Sequence, residues 1–200
     1  MGWCRACEER RVKMIVNLRG TSGSGKSTIV REVMGVFQQK VPRYCEGRKQ
    51  PTGYELFDTV YSKLFVPGHY ESPCGGCDTL SFSGSQDRIW EWIREHHARG
   101  YNVLFEGVII GDDNKRTIQA HRDKLPLLLI ELTTNLNNCL AGIQARRDAR
   151  GDTRPINPSN TTKRKPGISK RMDKFERMGM DVRRLTRGDA LELCRRMLCP

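Results

Sequence analysis

The chain has 200 residues, a length that suits one α/β domain with a sizeable core and is too short for a two-lobed helicase or a protein kinase. Its 35 Lys and Arg against 23 Asp and Glu give a formal charge of +12, which favours a polyanionic partner over a small, dilute metabolite. The sequence has no signal-peptide pattern and no membrane-spanning apolar run, so we expect its eight cysteines to be intracellular thiols or metal ligands.

The excess of positive charge is concentrated near the end of the sequence. From residue 141 to residue 200, sixteen Lys and Arg stand against seven Asp and Glu, which leaves +9 of the total +12 in this segment. We therefore predict a basic C-terminal surface. The alternative is that these charges form the solvated faces of ordinary helices.

The first predicted strand, residues 12–18, leads into an octapeptide with the phosphate-loop pattern GxxxxGK[ST]. Small residues let successive backbone N–H groups surround a β-phosphate, the lysine brings a positive charge to the β and γ oxygens, and the last hydroxyl ligates Mg²⁺. Apolar residues at helical spacing follow and predict a helix to about residue 39, whose N-terminus favours anions. The nucleotide-binding residues are Gly20, Thr21, Ser22, Gly23, Ser24, Gly25, Lys26 and Ser27, with Thr28 directly after them.

An irregular connection and two short predicted strands, residues 54–57 and 63–66, lead to a segment rich in Gly, Ser, Pro and Cys. This composition, over residues 67–86, is typical of a site-forming loop. If the bound nucleotide donates its phosphoryl group to a hydroxyl, a carboxylate is needed near that hydroxyl, and Asp78 and Glu71 are the candidates. We prefer Asp78, because glycines directly before its turn allow a close approach of the backbone to a ligand.

The same segment holds other candidate substrate contacts. His69 and Tyr70 have side chains that stack on or hydrogen-bond a base, although both are about equally often packing residues. The remaining members of the turn are Cys74, Gly75, Gly76 and Cys77.

Two CxxC pairs raise the alternative of a structural zinc. Cys4 with Cys7, and Cys74 with Cys77, would supply four thiolates. The first pair lies in residues 1–13, which we predict to be an N-terminal extension, with Met14 as a possible natural start. No shared zinc-ribbon framework surrounds the two pairs. Residues 14–200 are predicted to form a single domain.

A predicted helix ends at Gly100, and the apolar run at residues 101–105 is typical of a buried parallel strand. Glu106 follows it, at the end of the strand where open α/β sheets bind ligands. We predict that Glu106 holds Mg²⁺ through water or steers a substrate hydroxyl; the alternative is a surface carboxylate. Further on, Thr117 stands where a guanine-reading NKxD motif needs Asp, which argues against a GTPase.

Another apolar strand, residues 127–132, precedes a helix capped by Thr133 or Thr134 and running to about residue 150. Three arginines at its end, followed by an irregular segment, predict a lid over about residues 146–165 that stabilises charge on a transferred phosphoryl group. The lid candidates are Arg146, Arg147 and Arg150. A helix over about 168–177, a strand over about 182–185 and a helix over about 189–198 complete the chain.

The alternation of strands and helices predicts an α/β fold with a doubly wound, mainly parallel sheet of about five strands. Helices on both faces of this sheet give the three-layer αβα arrangement of phosphate-loop kinases.

Several motifs together resemble a known family. They lie at residues 17–28, 68–78, 105–107, 145–147 and 157–161. The chain is similar to the phosphate-loop kinases of tailed bacteriophages, and within them to the 5-hydroxymethyl-deoxyuridine (5-hmdU) DNA kinases of phages that hypermodify thymidine. This resemblance implies that Mg·ATP is the phosphoryl donor and that the acceptor is the hydroxymethyl group of a modified uracil in DNA. It also implies an enzyme of the host cytoplasm.

A DNA acceptor needs an exposed or flipped nucleotide and cationic groups for the backbone. The resemblance puts Asn157 and Asn160 on the substrate side. The candidate phosphate contacts are Lys163, Arg164, Lys165, Lys170, Arg171 and Lys174. Two alternatives stay open: a kinase of a free nucleotide, nucleoside or other small metabolite, and a nucleic-acid-binding ATPase module with a structural zinc.

Overall fold

The computed structural model describes residues 12–58, 62–72, 74–80, 82 and 84–199. Within these residues, seven strands form one sheet in the order β2-β3-β4-β5-β1-β6-β7. The strands are β1 (Ile15–Arg19), β2 (Gln39–Arg43), β3 (Gly53–Phe57), β4 (Lys63–Pro67), β5 (Asn102–Glu106), β6 (Leu127–Leu132) and β7 (Asp181–Leu185). Strands β4, β5, β1, β6 and β7 are parallel, whereas β3 is antiparallel to both β2 and β4.

Helices cover both faces of this sheet. They are α1 (Lys26–Met34), α2 (Ser85–Ala98), α3 (Val108–Gly111), α4 (Asn114–Arg122), α5 (Leu136–Asp148), α6 (Ser159–Arg177) and α7 (Arg187–Leu198), and a 3₁₀ turn spans Cys77–Thr79. One core cluster joins the sheet to α1 and α7, and the other joins it to α2, α4 and α6. The predicted α/β architecture with a mostly parallel sheet is confirmed.

Burial on both faces explains why the central strands read as continuous apolar runs. In β1, Ile15 belongs to one core cluster, whereas Val16 and Leu18 belong to the other. All six residues of β6 are likewise buried. A strand that is covered on both sides is mostly apolar, which is the pattern of parallel sheets, and its few polar residues, such as Asn17, make hydrogen bonds within the protein.

The sheet has seven strands rather than about five, and the largest difference is β2, which lies in the predicted irregular connection. All five residues of β2 are exposed, and one of them is Pro42. An edge strand with a proline and no buried side chain lacks the apolar alternation that identifies strands in sequence. Helix α1 also ends at Met34, before the predicted end near residue 39, because Gly35 forms its C-terminal cap.

Other boundaries also differ from the predictions. Helices α3 and α4 were not predicted, and α6 begins at Ser159, so the second part of the predicted lid is helical. The side chain of Asn135, rather than Thr133 or Thr134, caps α5 by accepting from the backbone N–H of Asn138. Within the described part of the chain, we find no helix that combines the length and the apolar character needed to cross a membrane.

Candidate active site

A cavity of about 1130 Å³ lies at the edge of the sheet where the parallel strands end. Four strands lead into its lining: β1 leads into the phosphate loop, β5 ends at Glu106, and β6 leads into Thr133 and Thr134. Strand β4 leads into residues 68–72 and 74–80, which we call the Gly68 turn. Residues of the phosphate loop, Asp78, Glu106 and Arg146 all line this cavity. This is the edge at which open α/β sheets bind their ligands.

The phosphate loop wraps around the buried ammonium group of Lys26. Its Nζ donates to the carbonyl oxygens of Gly20, at 2.8 Å, and Thr21, at 3.0 Å. Burial lowers the pKa of Lys26, and the nearby Glu106 carboxylate opposes this shift. Gly25, with φ of 98°, is the N-cap of α1, so the helix N-terminus points its free N–H groups into the loop.

The connection between β6 and α5 supports the loop from outside. A Cβ atom on Gly23, which has φ of +80°, would lie 1.9 Å from the carbonyl oxygen of Cys139, so only glycine fits there. Thr134 Oγ1 donates to the Ser24 carbonyl at 2.9 Å. The Ser24 hydroxyl is itself buried without a hydrogen-bond partner among the described residues, which suits a loop built to receive phosphate oxygens.

Ser27 and Glu106 bring two oxygen ligands together beside the loop. The Ser27 hydroxyl donates to Glu106 Oε1 at 2.7 Å. Burial raises the pKa of Glu106, while the nearby Lys26 ammonium and the Ser27 hydrogen bond oppose the increase. A hydroxyl next to a carboxylate is the kind of hard-oxygen pair that binds Mg²⁺ together with substrate phosphates, so these residues fit the predicted metal.

Two glycines, Gly68 and Gly76, allow the Gly68 turn to lie directly against Glu106. His69 and Gly76 form an antiparallel bridge, and the Gly76 N–H donates to the His69 carbonyl at 3.1 Å. A Cβ on Gly76, which has φ of +94°, would lie 2.4 Å from Glu106 Oε1. A Cβ on Gly68 would meet the carbonyl carbon of Gly76 at 2.4 Å. A side chain at either position would therefore push the turn away from its present place next to Glu106.

Asp78 is the carboxylate that this turn brings into the cavity. Its two oxygens accept from the backbone N–H groups of Val108, at 2.7 Å, and Ile109, at 2.9 Å. Glu71, the other candidate base, does not line the cavity and instead contacts the Tyr54 hydroxyl, at 3.3 Å, and Lys40, at 3.9 Å. The sequence favoured Asp78 over Glu71, and of these two carboxylates Asp78 is the one that lines the cavity.

The structure does not bring His69 and Tyr70 to the cavity. Their side chains are only 5% and 4% exposed, and neither lines the cavity. Burial raises the pKa of Tyr70 well above its ordinary value. Both side chains are packed inside the protein, so any side chain that stacks on a base would have to be a different one.

The four cysteines of the predicted zinc site differ in position and exposure. Cys4 and Cys7 lie outside the described residues. Cys74 is exposed and lines the cavity together with Gly75, whereas Cys77 is buried, and burial raises the pKa of its thiol well above the usual value. Within the described part of the chain, no group of three or more His, Cys, Asp or Glu side chains could hold a metal ion.

The three predicted lid arginines have different positions. Only Arg146 lines the cavity. Arg147 Nη1 donates to the carbonyls of Arg154, at 2.5 Å, and Pro155, at 2.9 Å, and so fastens the following segment. Arg150 Nη1 lies 3.7 Å from Cys74 Sγ, which connects this segment to the Gly68 turn.

The predicted substrate contacts further along the chain do not line the cavity. Asn157 Oδ1 accepts from the backbone N–H of Ser159 at 2.9 Å at the start of α6. Asn160, Lys163 and Arg164 are exposed on that helix. Lys165 donates to the Thr134 carbonyl at 2.5 Å, so it braces the phosphate loop indirectly.

Two arginines that line the cavity were not predicted. Arg31 donates to the carbonyls of Tyr70, at 3.0 Å, and Ser72, at 2.5 Å, and joins α1 to the Gly68 turn. It lies four residues after Ser27 and therefore on the same helix face, a signal that the sequence contained. Arg187 comes from the start of α7, and no local pattern announces its position at the cavity.

Together these groups have the parts of a phosphoryl-transfer site. The phosphate loop and Lys26 fit a triphosphate, Ser27 and Glu106 fit a divalent cation, and Asp78 lines the same cavity. Such reactions need positioning and stabilisation of charge more than covalent chemistry.

Comparison with known proteins identifies two relatives from bacteriophages. The chain is 36% identical over 185 residues to a "5-hmdU DNA kinase" of Pseudomonas phage PaMx11, and the match covers 92% of this chain and 96% of that protein. It is 26% identical over 182 residues to a "5-hmdU DNA kinase" of Delftia phage PhiW-14, covering 83% of this chain and 65% of that protein. No protein-family model matches the chain.

Proposed function

We propose, since the chain belongs to the family of phage 5-hmdU DNA kinases, that it transfers the γ-phosphoryl group of ATP to the hydroxymethyl group of 5-hydroxymethyluracil in DNA. The observation that carries the proposal is that Asp78 and the phosphate loop line the same cavity. A donor loop and an acceptor-side carboxylate in one cavity are what a kinase requires. Because the acceptor is phage DNA, we assign the activity to the host cytoplasm.

The donor side holds ATP through the phosphate loop. Backbone N–H groups at the start of α1 and the Lys26 ammonium bind the β and γ phosphates, and Arg146 stabilises charge on the γ oxygens. Ser27 and Glu106 hold Mg²⁺, which neutralises phosphate charge when bound. The distance of 2.7 Å between Ser27 Oγ and Glu106 Oε1 supports this pairing.

The acceptor side positions the hydroxyl and receives its proton. The hydroxymethyl oxygen bonds to the γ-phosphorus, the bond from that phosphorus to the β,γ-bridging oxygen breaks, ADP leaves, and the hydroxyl proton passes to Asp78. The two backbone N–H groups that donate to Asp78 hold its carboxylate in place. Each carboxylate oxygen keeps a second lone pair for the acceptor hydroxyl.

The acceptor nucleotide must leave the base stack to reach this site. A hydroxymethyl group within a duplex cannot approach a phosphate recessed in a cavity, so we expect a flipped or single-stranded nucleotide. Lys163 and Arg164, exposed on α6, remain candidate contacts for DNA phosphates on the donor side of the site.

The decisive experiment is incubation of the protein with γ-labelled ATP and a panel of acceptors. The panel contains unmodified DNA, DNA with 5-hydroxymethyluracil, and the free 5-hmdU nucleoside and nucleotide. We expect label only in the modified DNA, and K26A should abolish transfer without unfolding the protein, because it removes the charge that holds the donor phosphates. Higher activity on the free nucleoside or nucleotide would make the enzyme a small-molecule kinase.

A further inference from the structure

Strand β2, which was not predicted, and the loop after it carry a surface of basic and aromatic side chains. This surface lies near the strand ends that form the candidate active site. Strand β3 is antiparallel to both neighbours, so β2 runs in the same direction as β4. The C-terminal end of β2 therefore lies at the edge where β4, β5 and β1 end. We define the β2 surface as Arg43, Tyr44, Arg48 and Lys49; Lys40 points to the other face of the sheet, where it lies 3.9 Å from Glu71.

Hydrogen bonds join this surface to the Gly68 turn. Thr52 N donates to the Arg43 carbonyl at 2.7 Å, and Gly68 N donates to the Thr52 carbonyl at 2.8 Å. Arg48 Nη2 donates to the carbonyl of Thr79, at 3.1 Å, and Thr79 lines the cavity next to Asp78. The loop after β2 is thus anchored to the wall that carries the candidate base.

The charge of this segment is strongly positive. Residues 38–50 contain four Lys and Arg and one acidic residue, Glu46. The Arg43 side chain is 52% exposed even though it lies 3.8 Å from Glu55, and Lys49 is also exposed. Concentrated positive charge beside a kinase cavity matches a polyanionic acceptor.

Exposed apolar side chains accompany these charges. Tyr44 is 57% exposed, and Phe82, four residues after Asp78, is 36% exposed. Aromatic rings next to cationic groups are the combination that binds unstacked nucleic-acid strands, because bases stack on the rings while the cations follow the phosphates. Because His69 and Tyr70 are buried, a ring that stacks on a base has to be another one, and Tyr44 and Phe82 are exposed.

We propose that the β2 surface binds the DNA strand that flanks the acceptor nucleotide, with its cations on backbone phosphates and Tyr44 stacked on a neighbouring base. The proposal rests on the proposed function. Three strand spacings separate β2 from β5, about 14 Å at about 4.8 Å each, which is within reach of phosphates a few nucleotides from the acceptor. Lys163 and Arg164, in contrast, lie on α6, which packs on β6 and β7 at the other side of β1.

The test compares R43Q/K49Q and Y44A with the wild-type protein. Binding of a single-stranded oligonucleotide containing 5-hydroxymethyluracil is measured by fluorescence anisotropy at several salt concentrations, and kcat/KM is measured on the oligonucleotide and on the free 5-hmdU nucleoside. For R43Q/K49Q we expect oligonucleotide affinity to fall about tenfold or more and the slope of log affinity against log salt to decrease by about 1.4, or about 0.7 for each lost phosphate contact. For Y44A we expect an affinity loss of about tenfold with an unchanged slope, because stacking releases no counterions.

The matched control is R122Q/K124Q, which removes the same charge from exposed side chains. These residues lie just before the N-terminal end of β6, whereas the cavity lies at the C-terminal ends of the parallel strands. The control should leave affinity and slope within about twofold of the wild type, and any activity on the nucleoside should be unchanged in all these variants. The proposal is wrong if R43Q/K49Q behaves like this control while K163Q/R164Q loses affinity and slope, or if R43Q/K49Q lowers nucleoside activity as much as oligonucleotide activity. If the wild type binds DNA but phosphorylates none, the proposed function fails, and the binding data alone decide the role of the surface.

Discussion

Two carboxylates of the site differ in their surroundings in a way that assigns them different tasks. Glu106 is buried and accepts a hydrogen bond from the Ser27 hydroxyl beside the phosphate loop. Asp78 is partly exposed to the cavity and is fixed by the N–H groups of Val108 and Ile109. A buried carboxylate beside a hydroxyl suits a metal, whereas an accessible, oriented one suits proton transfer.

The assignment of Asp78 as the base predicts a specific kinetic effect for D78N. We expect kcat to fall about 100-fold or more, because general-base catalysis is lost, while ATP affinity changes by less than about threefold. Steady-state kinetics on DNA containing 5-hydroxymethyluracil, with a separate ATP titration, measures both quantities.

The matched control is E71Q, which neutralises a carboxylate of the same turn that contacts Tyr54 and Lys40 instead of the cavity. It should retain nearly full activity. A large loss of kcat in E106Q or E71Q, with D78N nearly normal, would move the base to that residue.

Gly76 predicts a second effect at the residue scale. G76A places a Cβ 2.4 Å from Glu106 Oε1 at a φ of +94°, so the turn must move away from the carboxylate. We expect the free energy of unfolding to fall by about 1–3 kcal/mol. We also expect kcat to fall by more than this loss of stability explains. Thermal unfolding and turnover are compared with those of G179A, whose φ is +79° but whose Cβ meets nothing within 4 Å. Equal behaviour of the two variants would mean that the close approach to Glu106 is unimportant.

At the scale of elements, α5 and the segment after it act as one unit above the cavity. Arg146, in the last turn of α5, lines the cavity, while Arg147 turns to the carbonyls of Arg154 and Pro155. Adjacent arginines on one helix point about 100° apart, so one can face the ligand while the other holds the backbone. Arg150 then contacts the Gly68 turn through Cys74.

This division predicts different consequences for the two arginines. R147A should speed amide hydrogen exchange in residues 149–158 by about tenfold, because the segment loses two hydrogen bonds to the guanidinium. R146A should leave that exchange unchanged and lower kcat, because it removes charge from the site. Exchange mass spectrometry and turnover distinguish them. Identical exchange in R147A and the wild type would show that Arg147 does not hold the segment.

At the scale of the whole molecule, Glu55 joins β3 to β2 and to the end of helix α2. This residue of β3 accepts from His96, at 3.0 Å, and Arg99, at 3.2 Å, and lies 3.8 Å from Arg43. Burial would raise the pKa of Glu55, but the hydrogen bond with His96 and the nearby arginines outweigh burial and lower it.

The lowered pKa of Glu55 makes its contribution to stability depend on pH. A carboxyl group whose pKa is lower in the folded state stabilises the protein above its unfolded pKa of about 4.3, and that contribution is lost as pH falls through the folded value. We expect E55Q to lower the free energy of unfolding by about 1–3 kcal/mol at pH 7 and by less below about pH 4. Urea unfolding across this range measures the difference. E91Q, in an exposed pair with Arg88, should have little effect at either pH, and a constant E55Q deficit would refute the linkage.

Much of the fold follows from local patterns. The buried runs that became β1, β5 and β6 were recognisable because strands covered on both faces are mostly apolar. Strand β2 was not recognisable, because an exposed edge strand has no such pattern and joins the sheet by pairing with β3, which is separated from it in sequence. The start of α6 at Ser159 was missed for a similar reason, since its first turns are largely polar.

The sequence by itself determined the donor half of the site. The octapeptide from Gly20 to Ser27 has the phosphate-loop pattern, and the groups this pattern uses, its own backbone and the helix that follows it, are contiguous in the chain. The tertiary structure alone decided the acceptor half: it turned Asp78 toward the cavity and Glu71 away, buried His69 and Tyr70, and brought the end of β2 beside the Gly68 turn. These outcomes depend on which strand ends meet at one edge of the sheet. Such contacts between distant segments leave no mark in the local order of residues.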